Sequence, residues 1–232
     1  MTTPLPPAQH ALDLRFAPRL GAADFLVSDS NREAFERIGR WPDWRPPALV
    51  LYGPAGSGKT HLAHLWCERA GAALVAGDSV TTGDAAALAG NLAVDDADRA
   101  AETPLFHLYN LCRERGGSLL LTARAPPAAQ RIALADLASR LRALPVVALG
   151  PPDDALLAAV LVKHFADRQI GVEPSVIAYL LSRIERSFAG AAAIVAALDR
   201  RALSARRAVT VALVREVLAA ADAPLNPDRP AI

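Results

Sequence analysis

Lysine is almost absent from this 232-residue chain. Of its 25 basic residues, 23 are arginine and only Lys59 and Lys163 are lysine. Cysteine occurs twice, methionine once and tyrosine three times, while alanine abounds. A GC-rich coding sequence gives that bias without selection on function, so a lysine kept against it stands out. Cys67 and Cys112 are too few for a disulfide scaffold and lack metal-ligand spacing. They read as buried, reduced thiols of a cytoplasmic protein. No apolar run approaches ~18 residues, so neither a membrane span nor a membrane partner is expected. The start, MTTPLPPAQHALDLRF, lacks a basic stretch followed by an apolar core and is no secretory leader. An excess of one charge is missing too. The net charge of +1 excludes a protein whose main task is coating DNA, so no strong direct DNA binding is expected. A hydrophobic share of 52% excludes a disordered chain.

Residues 1–20 hold Pro4, Pro6, Pro7 and Pro18 and should form an extended arm. Over 21–150 the pattern is α/β. SDSNREAFERIGRW (28–41) has a cap-rich start at Ser28, Asp29 and Ser30 and sets Ala34, Phe35 and Ile38 on one face, which predicts a helix. Trp41 and Trp44, beyond it, are expected to cover the core. Short apolar runs follow at ALVLYG (48–53), AALVAGD (72–78), LAVDDA (92–97), SLLLTA (118–123) and PVVALG (145–150). Helical patterns at 59–70, 105–115 and 134–141 separate most of them. This alternation predicts a five-stranded parallel sheet with helices on both faces. Gly150-Pro151-Pro152 marks a boundary. Residues 151–222 then show only helical periodicity, with Pro174 at a first-turn position and Thr210 as an N-cap, and 223–232 form a tail.

Gly53-Pro54-Ala55-Gly56-Ser57-Gly58-Lys59-Thr60 is a complete G-x-x-x-x-G-K-T between a strand and a helix. Its glycines let successive N–H groups turn towards phosphate oxygens, and the helix N-terminus adds its positive end. ATP or ADP with Mg²⁺ is the implied cofactor. Lys59 should reach the β and γ phosphates, Thr60 should give its hydroxyl to Mg²⁺, and His61 extends the binding stretch. The third strand ends in Asp95-Asp96. A carboxylate there suits a Mg²⁺ site, so Asp95 is the metal candidate and Asp96 the candidate to orient or activate an attacking water.

With these features in place the chain resembles an AAA+ ATPase: P-loop, acid-ended strand, a strand with a polar end at Thr122, an arginine-bearing helix, then a helical lid. More narrowly it is similar to the DnaA/Hda family of bacterial replication proteins. The matching stretches are DFLVSDSNREAF (24–35), GPAGSGKTHLAHLW (53–66), FHLYN (106–110), LADLASRL (134–141) and ALDRRALSARRAVTVALVREVL (197–218). The resemblance implies an AAA+ nucleotide-binding domain over 21–150 and a lid over 151–222. The chain as given ends before the helix-turn-helix domain of the family's initiators. SVTTGDAAALAGN (79–91) is also short where they carry a DNA-contacting insertion. Most similar, then, is the family's Hda-type branch. Its members bind the DNA polymerase III β sliding clamp and promote hydrolysis of ATP held by DnaA, a negative control on initiation of replication. Self-assembly into a homo-oligomer is compatible with the same design.

Two residue sets carry that implication. Gln9, Leu12 and Leu14 are similar to the family's clamp-binding peptide, in which an extended arm places a Gln and spaced leucines on the partner. Arg140, in LADLASRL, matches the arginine that points into a neighbouring subunit's ATP site. By composition alone, the first reads as an ordinary linker and the second as one surface arginine among 23. Two positions depart from the family. Arg124 stands where Asp or Asn is usual, and Ala189 stands where the lid arginine sits, with Arg186 one turn earlier. Both imply at most a weak ATPase at the chain's own site. Two alternatives remain beside this regulator. One is a DNA-remodelling or helicase-loading AAA+ ATPase, with Arg200, Arg201, Arg206 and Arg207 as its nucleic-acid face. The other is a small-molecule kinase.

Overall fold

The structure is a computed structural model and describes residues 25–81 and 90–222. β1 (Ala48–Tyr52) and β4 (Leu119–Ala123) are apolar along nearly their whole length, which suits strands covered on both faces. They pair in parallel, from Ala48 opposite Leu119 to Tyr52 opposite Ala123. β3 (Leu92–Asp95) joins the far side of β4, while β2 (Ala73–Ala76) and β5 (Val146–Ala148) form the edges. The order is β2-β3-β4-β1-β5, the five-stranded parallel sheet expected from the alternation. The edge strands are short, and β5 leaves Val146 exposed.

Successive strand residues face opposite sides and build two core layers. On one side Leu49, Leu51, Leu120 and Val147 meet α1 (Arg32–Gly39) and α2 (Lys59–Ala70) through Ala34, Ile38, Leu62 and Trp66. On the other, Val50, Val94 and Leu121 meet α3 (Glu102–Glu114) and α4 (Ala135–Arg142) through Leu105, Leu108, Leu137 and Leu141. Trp66 is fully buried, stacked on Trp44 at 5.3 Å and edge-on to Trp41 at 6.3 Å. Trp44 Nε1 donates to the Arg37 carbonyl and Trp41 Nε1 to Ser118 Oγ, so both rings close the core as expected.

Two details of the first helix differ from the sequence reading. Ser28, Asp29 and Ser30 form a turn, and the capping position falls to Asn31. The buried Asn31 side chain accepts from the Ser28 N–H and donates to the Leu26 carbonyl, fixing the chain's entry rather than capping the helix. Phe35 leaves the core and is 40% exposed, because Ala34 and Ile38 alone face the sheet. Its ring stacks on Phe25 at 5.3 Å.

Beyond residue 150 the described chain is helical: α5 (Asp154–Ala166), α6 (Pro174–Leu181), α7 (Phe188–Ala205) and α8 (Val211–Asp222). They enclose a separate core of Leu157, Leu161, Phe165, Leu180, Val195, Leu198, Leu213 and Val214. Asp153 caps α5 by accepting from the Leu156 N–H at 2.8 Å, and Ser187 caps α7 by accepting from Gly190 at 2.9 Å. Thr210 accepts from the Leu213 N–H at 3.4 Å, the expected cap in a long form. Among the described residues, no helix is long and apolar enough to cross a membrane.

Burial pushes both thiols, Cys67 and Cys112, up to about 11. At pH 8 only about a thousandth of each is thiolate, and both are shielded. Native protein is therefore expected to resist iodoacetamide, with both thiols reacting together only on unfolding. Rapid alkylation of either in the folded protein, read by mass spectrometry, would contradict this packing.

Candidate functional site

In a parallel sheet the crevice beyond the strands' C-terminal ends is the natural ligand position. β1 ends there at Gly53, whose N–H donates to the Ala123 carbonyl. A Cβ on Gly53 would lie 2.2 Å from the Leu149 carbonyl oxygen, so no larger residue fits between β1 and the end of β5. Gly56 and Gly58 have φ of +71° and +96°, the left-handed region that glycine supplies without strain. Gly58 is the N-cap of α2, so the loop feeds into a helix start. Lys59 is buried, and its Nζ donates to the Gly53 and Pro54 carbonyls at 2.9 and 2.8 Å. An ammonium has three donors, so one is left beyond the loop's own backbone. Burial lowers the Lys59 pKa; the charges of Asp96, then Asp95 and Asp98, oppose that, and Arg124 adds to it. The Ser57 hydroxyl is buried with no hydrogen-bond partner among the described residues. A concave, glycine-lined loop with a buried cation and an orphan hydroxyl fits phosphate groups.

The acids at the end of β3 are arranged unequally. Asp95 Oδ2 accepts from Thr60 Oγ1 at 2.8 Å and Oδ1 accepts from Thr122 Oγ1 at 2.5 Å. Thr122 is fully buried and in turn accepts from the Asp96 N–H at 2.8 Å. The hydroxyl and carboxylate expected at Mg²⁺ are thus in direct contact, an oxygen donor pair that suits a hard cation. Asp96 is held in the left-handed region at φ 49°. Of the nearby charges, its carboxylate is the one Lys59 feels most. His61 sits on α2 with its ring edge-on to Phe25 at 5.2 Å. Phe25 therefore links His61 to Phe35, an aromatic group that sequence spacing does not reveal.

The helical region touches the loop directly. The Phe188 N–H donates to the Gly56 carbonyl at 3.2 Å. A Cβ on Gly56 would lie 2.5 Å from Ser187 Cβ, and one on Gly58 would lie 3.0 Å from the Phe188 ring. The first turn of α7 is thus seated on the P-loop through backbone and ring. Ala189 follows immediately and is exposed. Arg186 does not take the place of an arginine there: its guanidinium pairs with Asp154 at 2.9 Å on an exposed surface. Arg124 is also exposed, and its N–H donates to Asp98 Oδ2 at 3.2 Å.

Arg140 lies apart from this cluster. Its guanidinium donates to Asn110 Oδ1 and lies over the Phe106 and Tyr109 rings, 4.9 and 5.7 Å from their centroids. All three partners belong to α3, so the half-buried Arg140 guanidinium is held against that helix. Gln9, Leu12 and Leu14 lie outside the described residues.

Residues 153–218 match the family model of the Hda lid domain. Among solved structures, domain III of the Thermotoga maritima replication initiation protein DnaA superposes with a TM-score of 0.76 at 16% identity, covering 90% of this chain and 99% of that one. A Thermotoga maritima RuvB variant gives a TM-score of 0.71 at 15% identity over 87% and 72%. AMPPCP-bound DnaA from Aquifex aeolicus gives 0.60 at 18% over 73% and 62%. These likenesses establish the AAA+ fold with a C-terminal helical lid.

Thr122→Val keeps the shape of the side chain but removes the donor to Asp95 and the acceptor for Asp96. The expected cost is about 1–3 kcal/mol of stability, because the half-buried Asp96 N–H loses its acceptor and Asp95 loses one of its two donors. A lowered urea midpoint with an unchanged slope is the readout, and an unchanged midpoint would contradict the network.

Proposed function

We propose that this chain is a DnaA/Hda-type AAA+ protein, a cytoplasmic, nucleotide-bound regulator of replication initiation. It is recruited by the DNA polymerase III β sliding clamp and stimulates hydrolysis of ATP held by DnaA. The observation that carries this reading is Arg140, an arginine supported on α3 and separate from the chain's own P-loop. A guanidinium presented to a partner's γ-phosphate stabilises charge that develops in the transition state, worth ~10³-fold or more in such systems.

At the chain's own site the P-loop from Gly53 to Thr60, with His61 beside it, would hold ATP or ADP. The third donor of Lys59 would meet phosphate. Thr60 and Asp95 would hold Mg²⁺ directly and through its water shell, respectively, and the cation would neutralise phosphate charge. Asp96 would orient water. Two neighbours of the same fold are themselves described as bound to AMPPCP. Hydrolysis here should be slow. The lid brings a backbone N–H to the P-loop where the family brings an arginine, and Arg186 is engaged by Asp154. The nucleotide then serves chiefly to hold the lid and the α/β domain together. Gln9, Leu12 and Leu14 would supply the clamp contact.

A motor acting directly on DNA is supported less. Arg201 and Arg207, half of the lid arginine group that such a reading would use, both reach Glu216, at 3.8 and 3.2 Å.

The test is a reconstituted assay with clamp-loaded DNA and DnaA–ATP. The intact protein should accelerate hydrolysis, and Arg140→Ala should abolish the acceleration while nucleotide and clamp binding persist. Gln9→Ala should lose co-purification with the clamp. No acceleration by the intact protein would overturn the reading. A rate of hydrolysis by the protein alone near that of working AAA+ motors would overturn the assignment of its own site.

A further inference from the structure

α4, which carries Arg140, is a short helix that does not cap itself. It spans eight residues, and its N-cap, Leu134, has no side-chain acceptor. Helix starts leave N–H groups that need partners. At this entry two N–H groups, that of Leu134 at the N-cap and that of Ala133 just before it, find their acceptor on another helix. Glu102 Oε1 accepts from the Ala133 N–H at 2.9 Å and Oε2 accepts from the Leu134 N–H at 2.6 Å. Both carboxylate oxygens are engaged, and hydrogen bonds to an ionised acceptor are short and strong. These two N–H groups hold the Glu102 carboxyl below its usual range, Ala133 contributing most.

Glu102 is the first residue of α3, which is anchored in the core by Leu105, Leu108 and Cys112. Phe106, Tyr109 and Asn110, the residues that hold the Arg140 guanidinium, follow Glu102 on the same side of that helix at i+4, i+7 and i+8. From Glu102 to Asn110 is about 12 Å along one helix axis, and from Leu134 to Arg140 about 9 Å along the other. α4 is therefore fastened near both ends to a single rigid helix. The preceding loop braces itself locally, with Gln130 Nε2 donating to the Ala125 carbonyl at 2.6 Å, but its last two N–H groups go to Glu102.

We infer that Glu102 is a positioning residue for Arg140: by gripping the chain at the entry to α4 it fixes where the guanidinium is presented to a partner's nucleotide. This rests on the reading of Arg140 as an arginine supplied in trans. A misplacement of about 1 Å at a reacting centre can cost ~10²-fold in rate, so a loosened helix start has a kinetic consequence without direct contact.

The experiment uses the full chain with clamp-loaded DNA and DnaA–ATP, titrated to saturation, in five forms: wild type, Glu102→Ala, Glu102→Gln, Arg140→Ala and the Glu102→Ala/Arg140→Ala double variant. Glu102→Ala should lower the plateau rate about tenfold or more. The half-saturating concentration and the protein's own nucleotide affinity should not move. Glu102→Gln, which keeps one acceptor oxygen, should fall between. The double variant should be no worse than Arg140→Ala alone, because the two act as one unit. Additive losses, or a matching fall in nucleotide affinity, would mark a general structural role and overturn the inference. If Glu102→Ala stimulates like wild type while Arg140→Ala is inactive, the inference falls and the proposed function stands. If wild type does not stimulate, the proposed function falls, and the isolated protein decides the positioning. There the NMR signal of the Arg140 Nε–H, identified by its loss in Arg140→Ala, should shift and broaden in Glu102→Ala. An unchanged signal overturns the inference.

Discussion

The Asp95 carboxylate lies between two hydroxyls, one from the helix after β1 and one from the end of β4. That arrangement follows from β3, β4 and β1 lying side by side in this order and ending at the same level. The inserted strand β4 brings Thr122, which uses its single proton on Asp95 and accepts from the Asp96 N–H. Orientation of the acid and the bend of the chain at Asp96 are thereby set by one buried side chain. The P-loop presents its N–H groups beyond the end of β1, and the strand order brings its helix into contact with the acid at the end of β3.

The lid is attached to this platform by a different kind of interaction. A backbone hydrogen bond and the Phe188 ring join α7 to the P-loop, and both require Gly56 and Gly58 to lack side chains. Such a contact depends on the shape of the loop more than on charge. On the reading proposed above, a lid joined this way senses whether phosphates shape the loop but contributes no cation to the reaction. Arg140, the arginine that this reading would donate, is on the opposite layer, held half-buried against α3. On that reading, nucleotide binding and donation of the arginine are separated between the two faces of one sheet.

What the sequence makes legible follows from how local each requirement is. The loop from Gly53 to Thr60 is legible because two positive φ values and a close approach to Leu149 restrict residue type within eight consecutive positions. The sheet is legible because buried parallel strands must be apolar, and the exposed edge strands β2 and β5 are the least distinctive of the five. Phe35 misleads because an aromatic beside a buried face looks buried until Phe25 is found stacked on it. Glu102 is invisible in the sequence: its partners lie 31 and 32 residues away, and nothing in the run ETPLF separates it from a surface acid. Ser187 and Phe188 meet the P-loop from more than 120 residues further along the chain. Arg140 becomes legible only through family resemblance, since composition cannot pick out one arginine among 23.

Why Lys59 has not drifted to arginine, in a chain that otherwise uses arginine throughout, has a geometric answer. Its Nζ sits under two carbonyls that belong to adjacent residues of one tight loop. A compact ammonium can donate to both and keep a third N–H for a ligand, whereas a planar guanidinium presents its donors in a fixed, wider fork. Burial penalises the charged form, and the nearby Asp96, Asp95 and Asp98 act in the opposite sense. The acids at the end of β3 thus have two connections to the P-loop: a hydrogen bond through Thr60 and a field at Lys59. Replacing Lys59 by arginine would keep the field and lose the fit. Replacing Asp96 by asparagine would keep the fold of the turn and remove the largest charge that favours the ammonium.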